Sequence, residues 1–423
     1  MKTQIANKLK IVSTKLKPIL AKSKSVIIAI FIKIKPLVEA LFAALLGFAI
    51  GAVLMLLWKF DPIKAYSALF QGAIGNFDAI ARAVGCLFQE GIEACKASGV
   101  IYGIYDIALT LTNATPLILT GLAFAIGIRA GLFNIGAEGQ VYMGAMAAVA
   151  ASLFSLPPGL HVFVSILFAM IAGALWSLPV GLLKATRGVH EVISTIMLNW
   201  VARFLVYFLV ATALVDPVRA EKSIGVAPTA RLLPFPTTDL TLALVISILF
   251  ALIVYWILWH TTLGYEIRSV GLNPDASRYG GIKPTRTMVS SFVLGGFAAG
   301  LAGACQVLGR PPTYALYQDL SNVMSLGFDG IAVALIGRNH PIGIIGAAIF
   351  MGGLSAGSNN MQINAQVPLE MTRVVQGAII LALAVPEILK IFPALLGAVV
   401  KLFSLLRQFF QRIRMRRIKR TTS

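Results

Sequence analysis

Long apolar runs separated by short polar segments dominate this sequence. A membrane-spanning helix needs about 20 mostly apolar residues to cross about 30 Å of hydrocarbon. The pattern therefore predicts an all-α, polytopic membrane protein with about ten transmembrane helices. The predicted spans are 37–58, 107–128, 132–156, 161–183, 192–214, 240–259, 288–308, 323–337, 341–356 and 371–392. Because 323–337 and 341–356 are short, each is either a full span or a re-entrant half.

The charges between the spans predict the sidedness of the chain. Lys and Arg are retained in cytoplasmic loops, and an even number of spans puts both termini on one side. Basic residues are concentrated in the loops 184–190, 260–287 and 338–340, which we therefore place in the cytoplasm together with both termini. Acidic and basic residues are roughly balanced in the segments predicted to lie outside, which are 59–106, 157–160, 215–239, 309–322 and 357–370.

Composition agrees with this class and locates the net charge. The chain is 58% hydrophobic and 13% charged, with a mean hydropathy of +0.84, whereas soluble domains are about a quarter charged. The net charge of +19 lies mainly at the two ends, since residues 1–35 contain nine lysines and residues 401–423 contain eight basic residues, with no acid in either segment. Basic residues that flank apolar spans are typical of contact with anionic lipid rather than of a folded face that binds nucleic acid.

These boundaries divide the chain into three parts. Residues 1–36 are predicted to form a basic amphipathic segment on the cytoplasmic face, or alternatively a partly disordered basic arm. Residues 37–392 are the transmembrane domain, with an external loop at 59–106 and a cytoplasmic loop at 260–287. Residues 393–423 are a basic cytoplasmic tail.

Polar side chains inside the spans are candidates for function, because a polar group at bilayer depth is costly unless it is paired or faces a wet path. The segment 129–140 contains three of them among glycines, which permit a broken helix beside a translocation path. The alternative is an ordinary cytoplasmic turn with a helix cap. For Glu138 itself, the alternative to shaping the path is an ion pair with Arg129 that stabilises the bend. The predicted path residues are Asn113, Asn134, Glu138, Gln140, Asn199, Asn359 and Asn360.

The loop 260–287 contains the signals of a short helix. Asn273 can cap a helix that begins at Pro274, and the pair Gly280-Gly281 would end it. A short helix held between two spans is a suitable lever for another protein, although such a helix is equally common as a plain connection.

Other patterns limit the chemistry that this chain performs. The sequence has no Walker A motif, so nucleotide is expected to bind a separate subunit, and no Cys or His cluster has the spacing of a metal site. No catalytic constellation is evident. Cys86 and Cys95 lie in the segment 59–106 and form either a disulfide or two free thiols. An ion-coupled secondary transporter, using acids such as Glu191 and Asp329, is an alternative class, and a membrane enzyme is a weaker one.

Four stretches resemble a known family. They are Phe133-Asn-Ile-Gly-Ala-Glu-Gly-Gln140, Val189-His-Glu-Val-Ile-Ser-Thr-Ile-Met-Leu-Asn199, Arg268-Ser-Val-Gly-Leu-Asn-Pro-Asp-Ala-Ser-Arg-Tyr-Gly-Gly-Ile282 and Gly327-Phe-Asp-Gly-Ile-Ala-Val-Ala-Leu-Ile-Gly337. They resemble bacterial ABC permeases for simple sugars, branched-chain amino acids and nucleosides, and the first two are most similar to the nucleoside subgroup. The stretches 134–140 and 326–330 also resemble each other, which suggests an inverted repeat of the kind common in transporters.

The resemblance implies a transport subunit rather than an enzyme, located in the bacterial inner membrane. It implies that ATP and Mg are used by a partner ABC ATPase, and that a second permease, identical or different, shares the path. A substrate-binding lipoprotein or periplasmic protein is the third expected partner, and a pentose or another simple sugar is the alternative substrate to a nucleoside. A coupling helix at about 271–282 would contact the ATPase through Arg268, Gly271, Asn273, Ala276, Arg278 and Gly280.

Overall fold

The computed structural model describes residues 44–235 and 238–384, and the regular elements within these ranges are helices, with only isolated β-bridges besides. The predicted segments 1–36 and 393–423 lie outside the described residues. The helices are α1 Ala44–Leu57, α2 Pro62–Ile74, α3 Phe77–Gln89, α4 Ile92–Ala97, α5 Tyr105–Arg129, α6 Ala137–Ala151, α7 Leu160–Arg187, α8 Glu191–Thr212, α9 Ala243–His260, α10 Thr262–Leu272, α11 Pro274–Tyr279, α12 Pro284–Leu308, α13 Leu326–Ile336, α14 Pro341–Ala365 and α15 Leu369–Ala384. Short 3₁₀ helices occur at Val100–Ile104 and Pro228–Ala230.

The chain divides into two compact units. The larger unit, Val53–Gln376, contains α2 to α14, the end of α1 and the start of α15. The described residues of the other unit are 44–52 and 377–384, which belong to α1 and α15. All features discussed below lie in the larger unit.

Six helices of the described ranges are long and apolar enough to cross a membrane. They are Val100–Arg129, Leu160–Arg187, Glu191–Thr212, Ala243–His260, Pro284–Leu308 and Pro341–Ala365. At about 1.5 Å per residue, even the 18 residues of α9 extend about 27 Å, which is close to the thickness of the hydrocarbon core. The prediction of an all-α, polytopic membrane protein is confirmed.

Two predicted spans are shorter than expected. Helix α6 has 15 residues and α13 has 11, so they extend only about 22 Å and 16 Å. The reading of 132–156 as one continuous span is wrong, because the glycine-containing segment 130–136 is not helical. Of the two alternatives for 323–337, the structure agrees with a re-entrant half rather than a full span. Helix α13 begins only after Ser325, whose φ is +70°. In contrast, 341–356 belongs to a full-length helix, α14.

The segment 59–106 is helical rather than a loop. Asp61 caps α2 by accepting hydrogen bonds from the backbone N–H groups of Ile63 and Lys64. Helix α2 then packs closely on α14, where a Cβ at Gly357 would overlap the carbonyl oxygen of Leu69. Sequence analysis missed these helices because their apolar residues are too few for a membrane span.

Helix α12 lies at the centre of the larger unit, between α5, α6 and α7. Its glycines permit this position, since a Cβ at Gly300 would overlap the carbonyl oxygen of Ala169 and a Cβ at Gly303 would overlap that of Val141. Small residues that let helix backbones approach each other are typical of membrane interfaces. The glycines of α12 therefore serve close helix packing.

Loops assigned to the same side of the membrane lie at the same end of the bundle. At one end Oε1 of Glu191, which follows the loop 184–190, accepts from the backbone N–H of Phe133 at 3.5 Å, and Nε of Arg129 donates to the carbonyl oxygen of Asn339 at 3.1 Å. Gly271 packs on the same Arg129 backbone. The loops 184–190, 260–287 and 338–340, all predicted to be cytoplasmic, are therefore neighbours.

The opposite end brings together segments predicted to lie outside. The hydroxyl of Tyr105 donates to Oδ2 of Asp239 at 3.2 Å, and Thr241 donates to the carbonyl oxygen of Gly309 at 2.9 Å. Ser223 accepts from the backbone N–H of Leu316. The division of the loops between the two ends of the bundle therefore agrees with the charge pattern. Which of the two ends faces the cytoplasm stays a prediction.

Candidate functional site

The chain between α5 and α6 folds back into the bundle. After Arg129 the chain turns at Gly131, whose φ of +74° favours glycine, and the backbone N–H of Leu132 donates to the carbonyl oxygen of Gly127 at 2.9 Å. The amide nitrogen of Asn134 then lies 3.4 Å from the Cβ position of Gly295. Gly295 is 11 residues beyond Pro284, about 16 Å along α12 at 1.5 Å per residue. Asn134 therefore lies inside the bundle but near the end that carries Arg129, since a Cβ at Gly127, two residues before the end of α5, would lie 3.2 Å from the Cβ of Asn134.

Three of the predicted path residues connect the start of α6 to α8. Oδ1 of Asn134 accepts from the backbone N–H of Gly136 at 2.9 Å and from Nε2 of Gln140 at 3.5 Å. Oδ1 of Asn199 on α8 accepts from the backbone N–H of Gly139 at 2.9 Å, and its Nδ2 donates to the carbonyl oxygen of Ile135 at 3.1 Å. These asparagines satisfy backbone groups that the helix break leaves free.

Two polar atoms of this cluster have no hydrogen-bond partner among the described residues. They are Nδ2 of Asn134 and Oε1 of Gln140, and each side chain is only 1% exposed. A buried donor or acceptor without a partner costs about 1–3 kcal/mol. The cluster therefore contains one unpaired donor and one unpaired acceptor, both buried.

Glu138 joins the starts of the two short helices. Its Oε1 accepts from the hydroxyl of Tyr142 at 2.6 Å and from the backbone N–H of Ser325 at 2.5 Å, and its Oε2 accepts from the backbone N–H of Gly327 at 2.7 Å. A carboxylate at a helix N-terminus is favourable because free N–H groups and the helix dipole point at it. Gly327 has no space for a side chain, since a Cβ there would overlap the backbone of Glu138.

The alternative pairing of Glu138 with Arg129 is wrong. Arg129 instead donates to the carbonyl oxygens of Asn339 and Arg338, at 3.1 and 3.5 Å. Sequence analysis did not identify Tyr142 and Ser325 as partners of Glu138. The spacing of four residues between Glu138 and Tyr142 is a signal that was available, because such residues share one face of a helix.

The other predicted path residues lie elsewhere. Oδ1 of Asn113 accepts from Nη2 of Arg310 at 3.0 Å, near the end that carries residues 215–241, and burial lowers the pKa of Arg310. Asn359 is exposed, and Asn360 packs against Gly72 of α2. Both belong to the last turns of α14, so 359–365 is helix rather than an external loop. These three asparagines do not join the cluster around Asn134.

The predicted short helix in 260–287 is confirmed as α11. Oδ1 of Asn273 accepts from the backbone N–H groups of Asp275 and Ala276, both at 3.0 Å, and Pro274 takes the first helical position. The helix ends at Gly280, and Gly281 follows with a φ of +83°. Leu272, two residues before this helix, and Tyr279, its last residue, are 89% and 100% exposed.

The six predicted coupling residues have different environments. Ala276 and Arg278 are exposed on α11, whereas Asn273 and Gly280 bound the helix. Gly271 holds α10 against α5, because a Cβ there would overlap the carbonyl oxygen of Arg129. Arg268 lines a cavity at this junction.

A disulfide joins Cys86 on α3 to Cys95 on α4, whereas Cys305 is buried and free. Among the described residues no three His, Cys, Asp or Glu side chains are grouped to hold a metal ion.

Comparisons with known proteins identify the family to which this arrangement belongs. Residues 107–384 match the family described as the permease component of branched-chain amino acid transport systems. The chain belongs to this family. The permease is 36% identical to the guanosine ABC transporter permease protein NupP of Bacillus subtilis, covering 83% of this chain and 94% of NupP. It is 34% identical to the nucleoside ABC transporter permease protein NupB of Lactococcus lactis, covering 85% and 93%.

A third relative has a different solute in its name. The permease is 27% identical to the glucose ABC transporter permease protein TsgB13 of Haloferax volcanii, covering 82% of this chain and 86% of TsgB13. No solved structure matches the permease. The resemblance that the four sequence stretches indicated is thus confirmed, and the permease is a multi-pass membrane subunit of an ABC transporter.

Proposed function

We propose that the permease forms part of the translocation path of an ATP-driven nucleoside importer in the bacterial inner membrane. The observation that carries this proposal is the polar cluster of Asn134, Gln140 and Asn199 buried inside the bundle, in a chain similar along most of its length to NupP and NupB. Solute sites near the bilayer midplane beside broken helices are common in transporters.

The unpaired polar atoms suit the proposed solute. A nucleoside carries donors and acceptors on both its base and its ribose, and Nδ2 of Asn134 and Oε1 of Gln140 supply one donor and one acceptor. A second permease subunit, identical or different, would complete the path. A substrate-binding lipoprotein or periplasmic protein would deliver the solute on the outer side, at the end that carries Asn113 and Arg310.

The ATPase would bind at the opposite, cytoplasmic end through α11. Both termini of the permease would lie on this side. ATP and Mg would be bound by the ATPase, and closure of the ATPase would move α11 and, through Gly271, the end of α5. The exposed Leu272 and Tyr279 are the side chains best placed for this contact.

Transport of a simple sugar is the second candidate, because the similarity to the glucose permease TsgB13 covers as much of the chain. Reconstitution of the permease with its partner subunits in proteoliposomes separates the two. Guanosine delivered with the binding protein should stimulate ATP hydrolysis and accumulate inside, whereas glucose and pentoses should not. Stimulation by a sugar alone, or uptake that continues without the ATPase, would contradict the proposal.

The substitution Tyr279→Asp tests whether α11 binds the ATPase. Tyr102→Asp is the matched control, because Tyr102 is 60% exposed but does not lie at the end of the bundle that carries α11. Removal of a central interface tyrosine costs about 2 kcal/mol, or about 30-fold in affinity. The measurement is the amount of ATPase that copurifies with each variant. Equal retention by both variants would exclude α11 as the docking helix.

A further inference from the structure

A cavity of about 380 Å³ lies at the junction of α5, α10 and the α13–α14 turn. Three of its lining residues are arginines, namely Arg129, Arg268 and Arg338, and none of the lining residues is acidic. Leu272, which precedes α11, lines it as well. The cavity therefore combines concentrated positive charge with the base of the proposed docking helix.

Arg129 and Arg268 converge on one aromatic ring. Their guanidinium carbons lie 5.3 Å and 5.9 Å from the centroid of Trp259. The ion pairs described in the chain are Lys184–Glu191 and Lys222–Asp216, so neither arginine has a carboxylate partner among the described residues. Two like charges held close together repel each other, and the face of one indole compensates only part of this cost.

Both guanidinium groups retain free donors. Each guanidinium has five N–H donors. Arg129 uses two groups on the carbonyl oxygens of the α13–α14 turn, and Arg268 donates from Nε to the carbonyl oxygen of Gly264 at 3.4 Å. The remaining donors are available to an anion in the cavity.

The ring of His340 also packs against Trp259. The ring of His340 lies 4.8 Å from that of Trp259, and burial together with the charge of Arg129 holds the pKa of His340 below its ordinary value. The site thus remains positive without a contribution from His340 at neutral pH.

We propose that this cavity binds a phosphate-bearing anion, held between Arg129 and Arg268. Phosphate oxygens accept the paired N–H groups of arginine in a bidentate geometry, and a bound anion would relieve the repulsion between the two side chains. The proposal rests on the proposed function in that it places this end in the cytoplasm. The phosphate then comes from the headgroup of an anionic lipid of the inner leaflet or from free cytosolic phosphate.

A bound phosphate would also act on coupling. It would bridge α5 and α10 beside Gly271, where the two backbones already touch, and α11 follows directly after α10. The anion would therefore hold the base of α11 in place, so that force from the ATPase reaches α5 rather than being lost in movement of α10.

The test uses the full-length permease in nanodiscs, with thermal unfolding followed by tryptophan fluorescence. One arm compares phosphatidylcholine with phosphatidylcholine containing phosphatidylglycerol, and the other adds inorganic phosphate in phosphatidylcholine against chloride at equal ionic strength. At least one anion should raise the unfolding temperature of the wild type. Arg268→Gln should bind that anion about tenfold more weakly or worse, which is a loss of about 1.4 kcal/mol.

Arg286→Gln is the matched control, because Arg286 is exposed in the first turn of α12 at the same end and does not line the cavity. This variant should respond as the wild type does. Arg129→Gln is the second variant, although it also removes the contacts of Arg129 with the α13–α14 turn. Arg268→Gln leaves those contacts in place, so a folding defect in Arg129→Gln does not hide the result.

A response to phosphatidylglycerol alone identifies a lipid headgroup, and a response to inorganic phosphate alone identifies a free anion. No shift in either arm, or equal shifts in the wild type and Arg268→Gln, would overturn the proposal. Modification of Arg268 by phenylglyoxal gives a further check. If the ATPase protects Arg268 from this reagent in the absence of any anion, the cavity is a docking surface and the proposal is overturned. Because unfolding does not depend on transport, failure of nucleoside uptake would leave this result unchanged.

Discussion

Glu138→Gln tests whether the carboxylate holds the two short helices together. Gln retains the size of Glu but replaces one acceptor oxygen by an NH₂ group. If nitrogen takes the place of Oε2, it faces the backbone N–H of Gly327, and if it takes the place of Oε1, it faces that of Ser325. At least one buried backbone N–H therefore loses its acceptor in either orientation.

The size of the effect follows from this count. A buried N–H without an acceptor costs about 1–3 kcal/mol, so local opening at the start of α13 should increase about 5- to 150-fold. Hydrogen exchange of the peptide that contains Ser325 and Gly327, measured by mass spectrometry, should become faster by that factor. Transport should decrease, because the site beside Asn134 would no longer be rigid.

Tyr142→Phe provides the matched comparison. It removes one hydrogen bond to Oε1 but leaves both carboxylate oxygens available to the two backbone N–H groups. Exchange at the start of α13 should therefore remain close to that of the wild type. The reasoning would be refuted if Glu138→Gln left exchange and uptake unchanged, or if both variants accelerated exchange equally.

Two further predictions concern packing and topology. Gly303→Ala should destabilise the permease by about 1–3 kcal/mol, because its Cβ would overlap the carbonyl oxygen of Val141, whereas Gly346→Ala, with no atom within 4 Å of its Cβ position, should be neutral or stabilising in a thermal unfolding assay. If 59–106 is external, a membrane-impermeant maleimide should label the partly exposed Cys86 in intact cells after reduction of the disulfide. Labelling that appears only after lysis would place this segment in the cytoplasm.

Local sequence signals identified several parts of the site correctly. The Asn273-Pro274 pair and the Gly280-Gly281 pair determine where α11 begins and ends, because capping and helix termination depend on adjacent residues. Likewise, the glycines of 129–140 indicated a broken helix, and the structure has a non-helical turn there. These predictions succeeded because the interactions act over a few residues.

Contacts between segments that are distant in the sequence could not be predicted from such local signals. Glu138 and Ser325 are 187 positions apart, and their hydrogen bond exists only because α6 and α13 begin at the same place in the bundle. Asn359 and Asn360 have the same side-chain chemistry as Asn134 and Asn199, yet they lie on another helix surface. Residue type therefore selected candidates, and packing separated those that meet from those that do not.

The sequence by itself determined that this protein is a bundle of membrane helices, which loops lie at the same end of that bundle, and where the chain breaks or caps a helix. The reason is that transfer of apolar residues into lipid and the geometry of caps are local properties of the chain. Only the tertiary structure decided that Glu138 ties two short helices together, that Gly271 presses α10 onto α5, and that Arg129 and Arg268 face one cavity. Each of these features depends on backbones that approach closely from remote parts of the sequence, and hydrophobic pattern alone does not specify which ones meet.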